Sequence, residues 1–421
     1  MTETKALAGI RVLDLGMFWA GPYAGKLLGD FGAEVIKIES VRRPDPLRVQ
    51  ARGIYPNGEP GEHPWNRSGL INERNRSKLG LVLDLSTSQG ATLFKRLVTL
   101  SDVVLENYSA NVMTNFGLDY PVLKTANPSI ITISIASQGL SGPEKDYISF
   151  GNTLEQTGGL AYITGYPGEP PYYSSGAYPD AISGIMAAGA IVAGLRTRRQ
   201  TGEGMHIELS QRELVTHFLG EMILDYSLNH RIWEPMGNRH WFKAPHGCYR
   251  CKGVDRWVTI AVADEKEWAA LCAAMDQSEL VSDPRFQTVV DRHHNQDALD
   301  TIVESWTSQR EPYEVMRQLQ AVGIAAGPVL TVPDLLQDPH LEARGFFEIG
   351  THPEAGTHPY YSRPMKLSKT PGATRRPAPG FGEHNEYVLG EVMGISSVEI
   401  EELERHGVIG KVPQSLLETG D

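Results

Sequence analysis

Asp180 is the side chain whose setting best suits covalent chemistry. It lies in SSGAYPDAISG, directly before IMAAGAIVAGL, an apolar run rich in small residues that predicts a tightly packed helix. Asp180 is placed like the N-cap of that helix, and capping alone would account for an aspartate there. The amides of the first helical turn would also keep the carboxylate ionised and stabilise a nearby oxyanion. Such a carboxylate can attack an activated thioester to give a mixed anhydride.

Three basic clusters offer sites for a small anion, although the chain as a whole is acidic. The formal net charge of −12 argues against general nucleic-acid binding. Each cluster, taken singly, is equally well explained as a solvated loop or helix end. The clusters are Arg42 and Arg43; Arg74, Arg76 and Lys78; and Arg196, Arg198 and Arg199.

A zinc site is the first alternative to consider. Cys248 and Cys251 form a C-x-x-C pair, with His240 and His246 upstream. The segment has the pattern of a strand, in which residues three apart point to opposite faces. The sequence contains no second C-x-x-C, so we do not expect a metal here.

A nicotinamide site is the second alternative. Glu39 ends the second predicted strand, where an acidic residue could bind a ribose. The preceding turn, GMFWAGPYAG, lacks the G-x-G-x-x-G pattern of such sites. Gly21, Gly25 and Gly29 recur at intervals of four, which indicates a smooth helix face packed closely on a sheet.

The order of elements predicts an α/β fold with a parallel, Rossmann-like sheet. The strand-like segments 11–15 and 34–38 flank a Gly-rich turn and a helix, which makes a βαβ unit. The pattern changes near residue 225, where an antiparallel hairpin followed by helices predicts a smaller α+β domain. We therefore expect an N-terminal part of the large domain at 1–224, a small domain at 225–328 and a C-terminal return to the large domain at 329–421.

Length and composition favour a soluble enzyme of the cytoplasm. The 421 residues suffice for a large core in more than one domain. The N-terminus has no signal-peptide pattern, and no uninterrupted apolar run reaches the roughly 18 residues of a membrane span. Three cysteines do not make a disulfide scaffold. We expect neither a membrane nor a nucleic acid as a partner.

Taken together, these features resemble the class III CoA-transferases, the family of formyl-CoA transferase and carnitine CoA-transferase. The resemblance extends over nearly the whole chain. The segments that carry it are LAGIRVLDLGMFWAGPYAGKLLGDFGAEVIKIE, NRSKLGLVLDL, SDVVLENYSANVMTNFGLDY, SGAYPDAISG, TGEGMHIELS, GNRHWFKAPHGCYRCKGVDRWVTIAV, GIAAGPV and DPHLEARGFF.

The resemblance implies a mechanism, an assembly and a cofactor site. Asp180 matches the family's catalytic aspartate, with Gly184 closing the motif, and would form a mixed anhydride and then an aspartyl-CoA thioester. Family members are interlocked homodimers without a metal or a permanently bound cofactor, and coenzyme A enters as a substrate. The positions matching the family's CoA-binding residues are Arg42, Arg43, Asn75, Arg76 and Lys78.

Departures from the family pattern concern the acyl pocket. Trp19 stands where formyl-CoA transferase has Gln, which predicts a larger and more apolar pocket. Phe18, Tyr172 and Tyr173 lie in segments expected to flank Asp180, so we predict a bulky or aromatic acceptor acid, with succinyl-CoA as a donor. Ser109 replaces a family Arg, which removes one expected phosphate contact.

Two further functions stay open at this stage. A relative of α-methylacyl-CoA racemase would need a His in the stretch that matches Phe150, Gly151 and Asn152, and none stands there. A catalytically silent subunit that works with a paralogous partner is the other alternative. The intact Asp180 argues against it.

Overall fold

Strands and helices alternate along the N-terminal half of the chain, as the apolar pattern predicts. The computed structural model describes residues 5–50 and 53–414. Its strands are β1 (Arg11–Asp14), β2 (Glu34–Glu39), β3 (Lys78–Val82), β4 (Val103–Glu106), β5 (Ile131–Ala136), β6 (Met205–Ser210), β7 (His246–Arg250), β8 (Trp257–Ala261), β9 (Ala325–Val329), β10 (Phe347–His352) and β11 (Gly356–Tyr361).

Most helices are short, and the longest contains Asp180 in its first turn. The α-helices are α1 (Ala20–Asp30), α2 (Pro46–Val49), α3 (Pro64–Arg67), α4 (Gly69–Arg74), α5 (Ser88–Val98), α6 (Val112–Asn115), α7 (Tyr120–Ala126), α8 (Gly151–Thr157), α9 (Tyr178–Thr201), α10 (Gln211–His217), α11 (Gly220–Asn229), α12 (Glu265–Ala274), α13 (Val289–His294), α14 (Gln296–Thr307), α15 (Pro312–Ala321), α16 (Val332–Leu336), α17 (Pro339–Ala343) and α18 (Ser397–Arg405). Single turns of 3₁₀ helix occupy Pro56–Gly58, Leu160–Ile163 and Ser278–Ser282, and a π-helix spans Tyr387–Val392.

The described residues divide into two units. The first consists of those within Met1–Ala161, Tyr173–Arg231 and Ala343–Asp421, and the second of Tyr162–Tyr172 and Ile232–Glu342. The main segment of the second unit thus begins and ends later than the predicted 225–328, and Tyr162–Tyr172 joins it from the predicted N-terminal part. Its C-terminal end is held by Arg256 Nη1, which lies 2.8 Å from Asp334 Oδ2, and by Tyr313, whose hydroxyl donates to Asp338 at 2.8 Å.

A six-stranded parallel sheet organises the first unit, which confirms the predicted α/β class. Its order is β3-β2-β1-β4-β5-β6. Strand β1 pairs with β2 on one side and with β4 on the other, so the winding direction reverses between β1 and β4. In doubly wound sheets, ligands bind at the carboxyl ends of the strands beside such a reversal.

Two apolar layers cover the sheet. On one face, Phe94 and Leu97 of α5 pack in a cluster with Leu13, Ile36 and Val104 of the strands. On the other face, α1 and α9 cover the remaining side chains of the same strands. That second layer contains Val12, Val35, Leu105, Ile131, Ile133, Ala24, Leu28, Ala187 and Ile191. Strands buried on both faces explain the continuous apolar runs in the sequence.

Glycines bring α1 against the loops and strands beside it, as their spacing predicts. A Cβ on Gly21 would lie 2.7 Å from the Cα of Gly16, and one on Gly25 would lie 2.5 Å from Asp14 Oδ2. A Cβ on Gly29 would lie 2.6 Å from the carbonyl oxygen of Ser77. These glycines serve packing and do not form a dinucleotide turn.

The C-terminal segment of the first unit lies along the edge strand β3. The amide of Val82 donates to Asn385 Oδ1 at 2.8 Å, and the amide of Ser77 donates to the carbonyl of Arg376 at 3.0 Å. Phe381 packs with Val41 and Val82. These contacts cover a strand edge that would otherwise be open to pairing with another chain.

Helix α9 is long and apolar enough to cross a membrane, judged by length and composition alone. In this fold its Ala187 and Ile191 belong to the apolar layer on the sheet. Gly194 of the same helix approaches Ile131 and Ile207. We therefore interpret α9 as a core helix of the first unit.

The second unit carries an antiparallel sheet, β7-β8-β9, around a core of its own. Trp268, Phe286 and Trp306 are among its buried side chains. Cys251 is buried in this same cluster, and Cys248 lies on β7 opposite Thr259. Among residues 5–50 and 53–414, no group of three or more His, Cys, Asp or Glu side chains is placed to hold a metal ion.

Candidate active site

Asp180 lies in the first turn of α9 but is not its N-cap, which corrects the sequence prediction. The N-cap is Ala177, in a left-handed conformation with φ 46° and ψ 51°. Tyr178 and Pro179 then begin the helix, since proline suits the first helical turn. Asp180 is the third helical residue, where amides without intrahelical partners and the positive end of the helix dipole still favour a carboxylate.

The two oxygens of Asp180 have different surroundings. Gln211, the buried first residue of α10, donates from Nε2 to Oδ1 at 2.9 Å. Oδ2 faces Gly151, and a Cβ on that glycine would lie 2.9 Å from it. Within the described residues Oδ2 accepts no hydrogen bond. One oxygen is therefore held in place while the other is open to react.

Burial raises the pKa of Asp180, and the Gln211 hydrogen bond and the positive charge of Arg74 lower it again in part. The net effect is a pKa above the ordinary aspartate value. A more basic carboxylate is a better nucleophile, provided that it is ionised at the working pH. The two opposing groups favour the ionised form that attack requires.

The turn after β1 carries Phe18 and Trp19, and Phe18 reaches the segment that Asp180 faces. Asn107 holds the turn, because its Oδ1 accepts from the amide of Met17 at 2.7 Å and its Nδ2 donates to the Met17 carbonyl at 2.9 Å. The ring of Phe18 packs edge-to-face on Phe150, with 5.6 Å between centroids. Phe150 directly precedes Gly151, the residue that Asp180 touches.

Trp19 is covered on one face by Arg74, a residue that the sequence placed only in a basic cluster. The guanidinium carbon of Arg74 lies 4.3 Å from the centroid of the indole. The indole Nε1 is buried and has no hydrogen-bond partner within the described residues. No sequence motif marks Arg74 as a site residue, because its approach depends on how α4 packs beside the turn after β1.

The two predicted pocket tyrosines, Tyr172 and Tyr173, fall in different units. Tyr172 belongs to the second unit, where its hydroxyl donates to Glu169 at 2.7 Å. Tyr173 belongs to the first unit and is half exposed. Tyr173 makes no contact with Asp180 within the described residues, and the aromatic pair beside Gly151 is Phe18 and Phe150.

A cavity of ≈ 500 Å³ opens at the carboxyl ends of β1, β2 and β3, beside the reversal in the sheet. Arg42 and Arg43 line it, together with the apolar side chains of Ile38, Tyr108 and Phe116. Arg42 lies 3.3 Å from Asp84, and Arg43 is exposed. Cationic and aromatic lining of this kind suits a phosphorylated nucleotide.

Asn75 and Lys78 lie outside this cavity, so we correct their predicted role in CoA binding. Lys78 is fully buried and donates to Asp14 at 2.6 Å, to the Pro22 carbonyl at 2.7 Å and to Asn75 at 2.9 Å. Asn75 donates in turn to the Ile71 carbonyl at 3.2 Å. A lysine without solvent access and with three partners has no hydrogen to offer a ligand.

Arg76 also lies elsewhere, against the β10–β11 hairpin. Its guanidinium stacks on Tyr360 at 4.6 Å and donates to the Tyr361 carbonyl at 3.0 Å. It lines a separate cavity of ≈ 480 Å³ that Arg375 and Arg376 also line. The structure thus keeps Arg42 and Arg43 together and separates the other three predicted CoA contacts from them.

The residue that Asp180 faces, Gly151, cannot supply the second acid–base group of a racemase. The position that would carry the histidine holds Gly151, and the space beyond its Cα is filled by Asp180 and Ala177. A Cβ there would lie 2.7 Å from the Cβ of Ala177. The carboxylate therefore faces backbone on this side, where a racemase would need a base.

The model of CoA-transferase family III matches residues 7–385 of the chain. The chain belongs to this family. It is therefore an enzyme that transfers coenzyme A, and CoA thioesters are its substrates.

Curated relatives match the chain over nearly its full length. Succinyl-CoA–D-citramalate CoA-transferase of Chloroflexus aurantiacus is 34% identical, over 96% of this chain and 98% of that protein. The alpha subunit of succinyl-CoA–L-malate CoA-transferase of the same species is 33% identical, over 97% of this chain and 93% of that subunit. Human succinyl-CoA:glutarate CoA-transferase is 27% identical, over 97% and 91%.

A solved structure shares the fold. A CAIB/BAIF family protein from Brucella suis superposes with a TM-score of 0.83 at 29% identity, covering 93% of this chain and all of that one. The mixed α/β architecture with a parallel central sheet is therefore that of known family members.

Proposed function

We propose that this enzyme transfers coenzyme A from succinyl-CoA to a carboxylic acid, with Asp180 as the covalent nucleophile. The observation that carries the proposal is the asymmetry of the Asp180 carboxylate. Gln211 holds Oδ1 while Oδ2 stays open at the start of a helix. The curated relatives that use succinyl-CoA support the choice of donor.

The reaction proceeds through two covalent intermediates. Oδ2 of Asp180 attacks the thioester carbonyl of the donor, which forms a mixed anhydride and releases CoA thiolate. The thiolate attacks the aspartyl carbonyl carbon, which frees the donor acid and leaves an aspartyl-CoA thioester. The acceptor carboxylate attacks the same carbon to give a new anhydride. The released thiolate then attacks the acceptor's acyl carbon, which forms the new acyl-CoA and restores Asp180.

The cavity beside Arg42 and Arg43 would hold the nucleotide end of CoA. Arg43 carries no ion pair within the described residues, so its charge is available to a phosphate. The chain has a net charge of −12, and binding of an anionic cofactor then depends on concentrated local positive potential.

Two classes of acceptor acid are supported by separate observations. Phe18, Trp19 and Phe150 form aromatic surroundings, which favour the bulky or aromatic acid predicted from the sequence. The relatives named for citramalate, malate and glutarate favour a short dicarboxylic acid.

The assembly we propose is an interlocked homodimer. A paralogous partner is the alternative, because the malate-specific relatives are alpha and beta subunits. Activity of the purified chain alone separates these cases. A chain that is active only with a second subunit would contradict the homodimer.

Asp180→Ala should lower CoA transfer by several orders of magnitude while the circular dichroism spectrum stays unchanged, because the nucleophile is lost. Purified protein is assayed with succinyl-CoA and a panel of acids, and products are read by mass spectrometry. Incubation with donor alone and hydroxylamine should modify Asp180 in the wild type only. Asp283→Ala, which removes a surface ion pair in the second unit, is the matched control and should retain activity. Wild-type turnover in Asp180→Ala would refute the mechanism.

A further inference from the structure

Arg74 is held rigidly and still has donor capacity to spare. It ends α4, and its guanidinium is stacked on Trp19. Nε donates to Glu73 at 3.0 Å, and Nη1 lies 3.4 Å from the carbonyl oxygen of Phe18. Within the described residues Nη2 has no partner, and the side chain is 13% exposed. A fixed, accessible donor of this kind is suited to bind a carboxylate.

Arg74 and Asp180 converge on one turn without touching each other. Arg74 contacts the turn through Phe18 and Trp19, and Asp180 reaches it through Gly151 and Phe150. The two side chains form no ion pair, yet the charge of Arg74 lowers the pKa of Asp180. A chain of contacts through Phe18, Phe150 and Gly151 therefore connects the guanidinium to the carboxylate.

Glu73 compensates the charge of Arg74 only in part. Its second oxygen accepts a hydrogen bond from the Tyr361 hydroxyl, which fixes the carboxylate beside Nε. Burial raises the pKa of Glu73, and the charges of Arg74 and Arg76 oppose that rise. Glu73 contacts only Nε of Arg74, so the hydrogens of Nη2 remain available to a ligand.

We propose that Arg74 binds the second carboxylate of a dicarboxylic acyl group whose first carboxyl group reacts at Asp180. The inference rests on the proposed function and selects between its two classes of acceptor. A distal carboxylate in a partly buried site needs a cation, and Nη2 of the guanidinium offers two charged donor hydrogens. An aryl group has no such need. The indole face that could stack on it already carries Arg74.

The same contact would serve both half-reactions. The succinyl group of the donor and a short dicarboxylic acceptor each have a carboxylate a few carbons from the reacting one. Because donor and acceptor occupy the site in turn, one arginine can bind the distal end of each. Arg74 is thus a specificity-determining residue that does not take part in bond making.

The test compares acids and thioesters that differ only in the distal carboxylate. Wild type and Arg74→Gln are assayed with succinyl-CoA and glutarate, and with butyryl-CoA and pentanoate. Arg74→Gln should lower kcat/KM for the dicarboxylic pair by about 10- to 100-fold, the effect of one hydrogen bond to a charged group. At a pH above the acidic limb of both proteins, where Asp180 is ionised with or without the Arg74 charge, the monocarboxylic pair should change by less than about threefold. Arg74→Lys keeps the charge without the planar fork and should fall between the two.

The test includes a control variant, and each contrary result has its own meaning. Arg405→Gln, at the far end of α18, removes a surface arginine and should leave both pairs unchanged. An equal loss for both pairs in Arg74→Gln would mean that Arg74 only supports the turn, and no loss would mean that it binds nothing. Either result overturns the role of Arg74 in binding a carboxylate and does not affect the proposed CoA transfer. A wild-type preference for 3-phenylpropanoate over glutarate would overturn it in favour of the aromatic acceptor. If wild type transfers CoA to none of these acids, the proposed function fails and this inference with it.

Discussion

The reactivity that we propose for Asp180 depends on a balance between burial and two polar neighbours. A carboxylate free in water would be ionised but weakly nucleophilic, and one buried without partners would be protonated. Here burial makes the group more basic, while Gln211 and Arg74 favour its charged form. The balance gives a measurable signature in the pH dependence of catalysis.

In the pH profile of kcat/KM, the acidic limb should lie above the ordinary aspartate pKa. In Gln211→Leu this limb should move to higher pH. The folded pKa of Asp180 is raised, so activity is lost as the pH falls through that raised value. Gln211 stabilises the ionised form, so its removal raises the pKa further and shifts the limb to higher pH. Gln318→Leu, on the exposed face of α15, is the matched control. An unchanged limb in Gln211→Leu would show that the hydrogen bond does not act on the titrating group.

The cavity and the CoA site predicted from the sequence share Arg43, but only the predicted site includes Arg76. Substitutions of these two arginines therefore test which group of residues binds CoA. Arg43→Gln should weaken CoA binding by about 1.5–3 kcal/mol in titration calorimetry, because it removes a charge-assisted hydrogen bond to phosphate. Arg76→Gln should leave CoA binding unchanged, since Arg76 packs on the β10–β11 hairpin and does not line this cavity. Weaker binding in Arg76→Gln alone would restore the assignment made from the sequence.

At the scale of elements, the site depends on how closely α1 and α9 approach. Gly184 stands one turn after Asp180, and a Cβ there would lie 2.8 Å from the carbonyl oxygen of Ala20 and 3.1 Å from the side chain of Tyr23. Trp19 caps α1 and Asp180 begins α9. The separation of these two helices therefore sets the width of the site.

Gly184→Ala should lower both stability and activity, whereas Gly189→Ala in the same helix should not. The added methyl group at 184 meets backbone, which cannot yield, so we expect a loss of about 1–3 kcal/mol in urea unfolding. A Cβ at 189 meets nothing within 4 Å, and replacing a mid-helix glycine with alanine should add about 0.5–1 kcal/mol. Equal effects at the two positions would mean that the helix contact does not determine the geometry of the site.

At the scale of the whole molecule, α11 presents an apolar surface. Ile223, Leu224, Tyr226 and Leu228 are each more than half exposed in the single chain. Clusters of large apolar side chains on a protein surface mark interfaces with other chains. This surface supports the proposed homodimer and gives a target for testing it.

The dimer should persist at nanomolar concentration in analytical ultracentrifugation, since interlocked chains cannot separate without unfolding. Differently tagged homodimers should not exchange subunits on mixing. Leu228→Glu should reduce the yield of folded dimer, whereas Val254→Glu, at a loop residue 94% exposed in the second unit, should not. A monomer–dimer equilibrium at low concentration would contradict the interlocked assembly.

The sequence by itself determined the elements and the type of chemistry. Apolar runs bounded by glycine predicted the strands, the glycine spacing predicted the close packing of α1, and the motif around Asp180 pointed to a nucleophilic carboxylate. These properties are local, because each depends on residues within one or two turns or strands. The matching segments along the chain identified the family for the same reason.

Tertiary structure alone decided which charges are free and which are paired. Lys78 looked like a ligand for phosphate, but it meets Asp14, 64 positions earlier in the chain, inside the core. Arg74 and Lys78 stand four positions apart in one basic cluster, yet one reaches the turn beside Asp180 and the other is fully buried. Periodicity predicts the face on which a residue lies but not what that face meets. Long-range packing therefore determined the roles of these two residues.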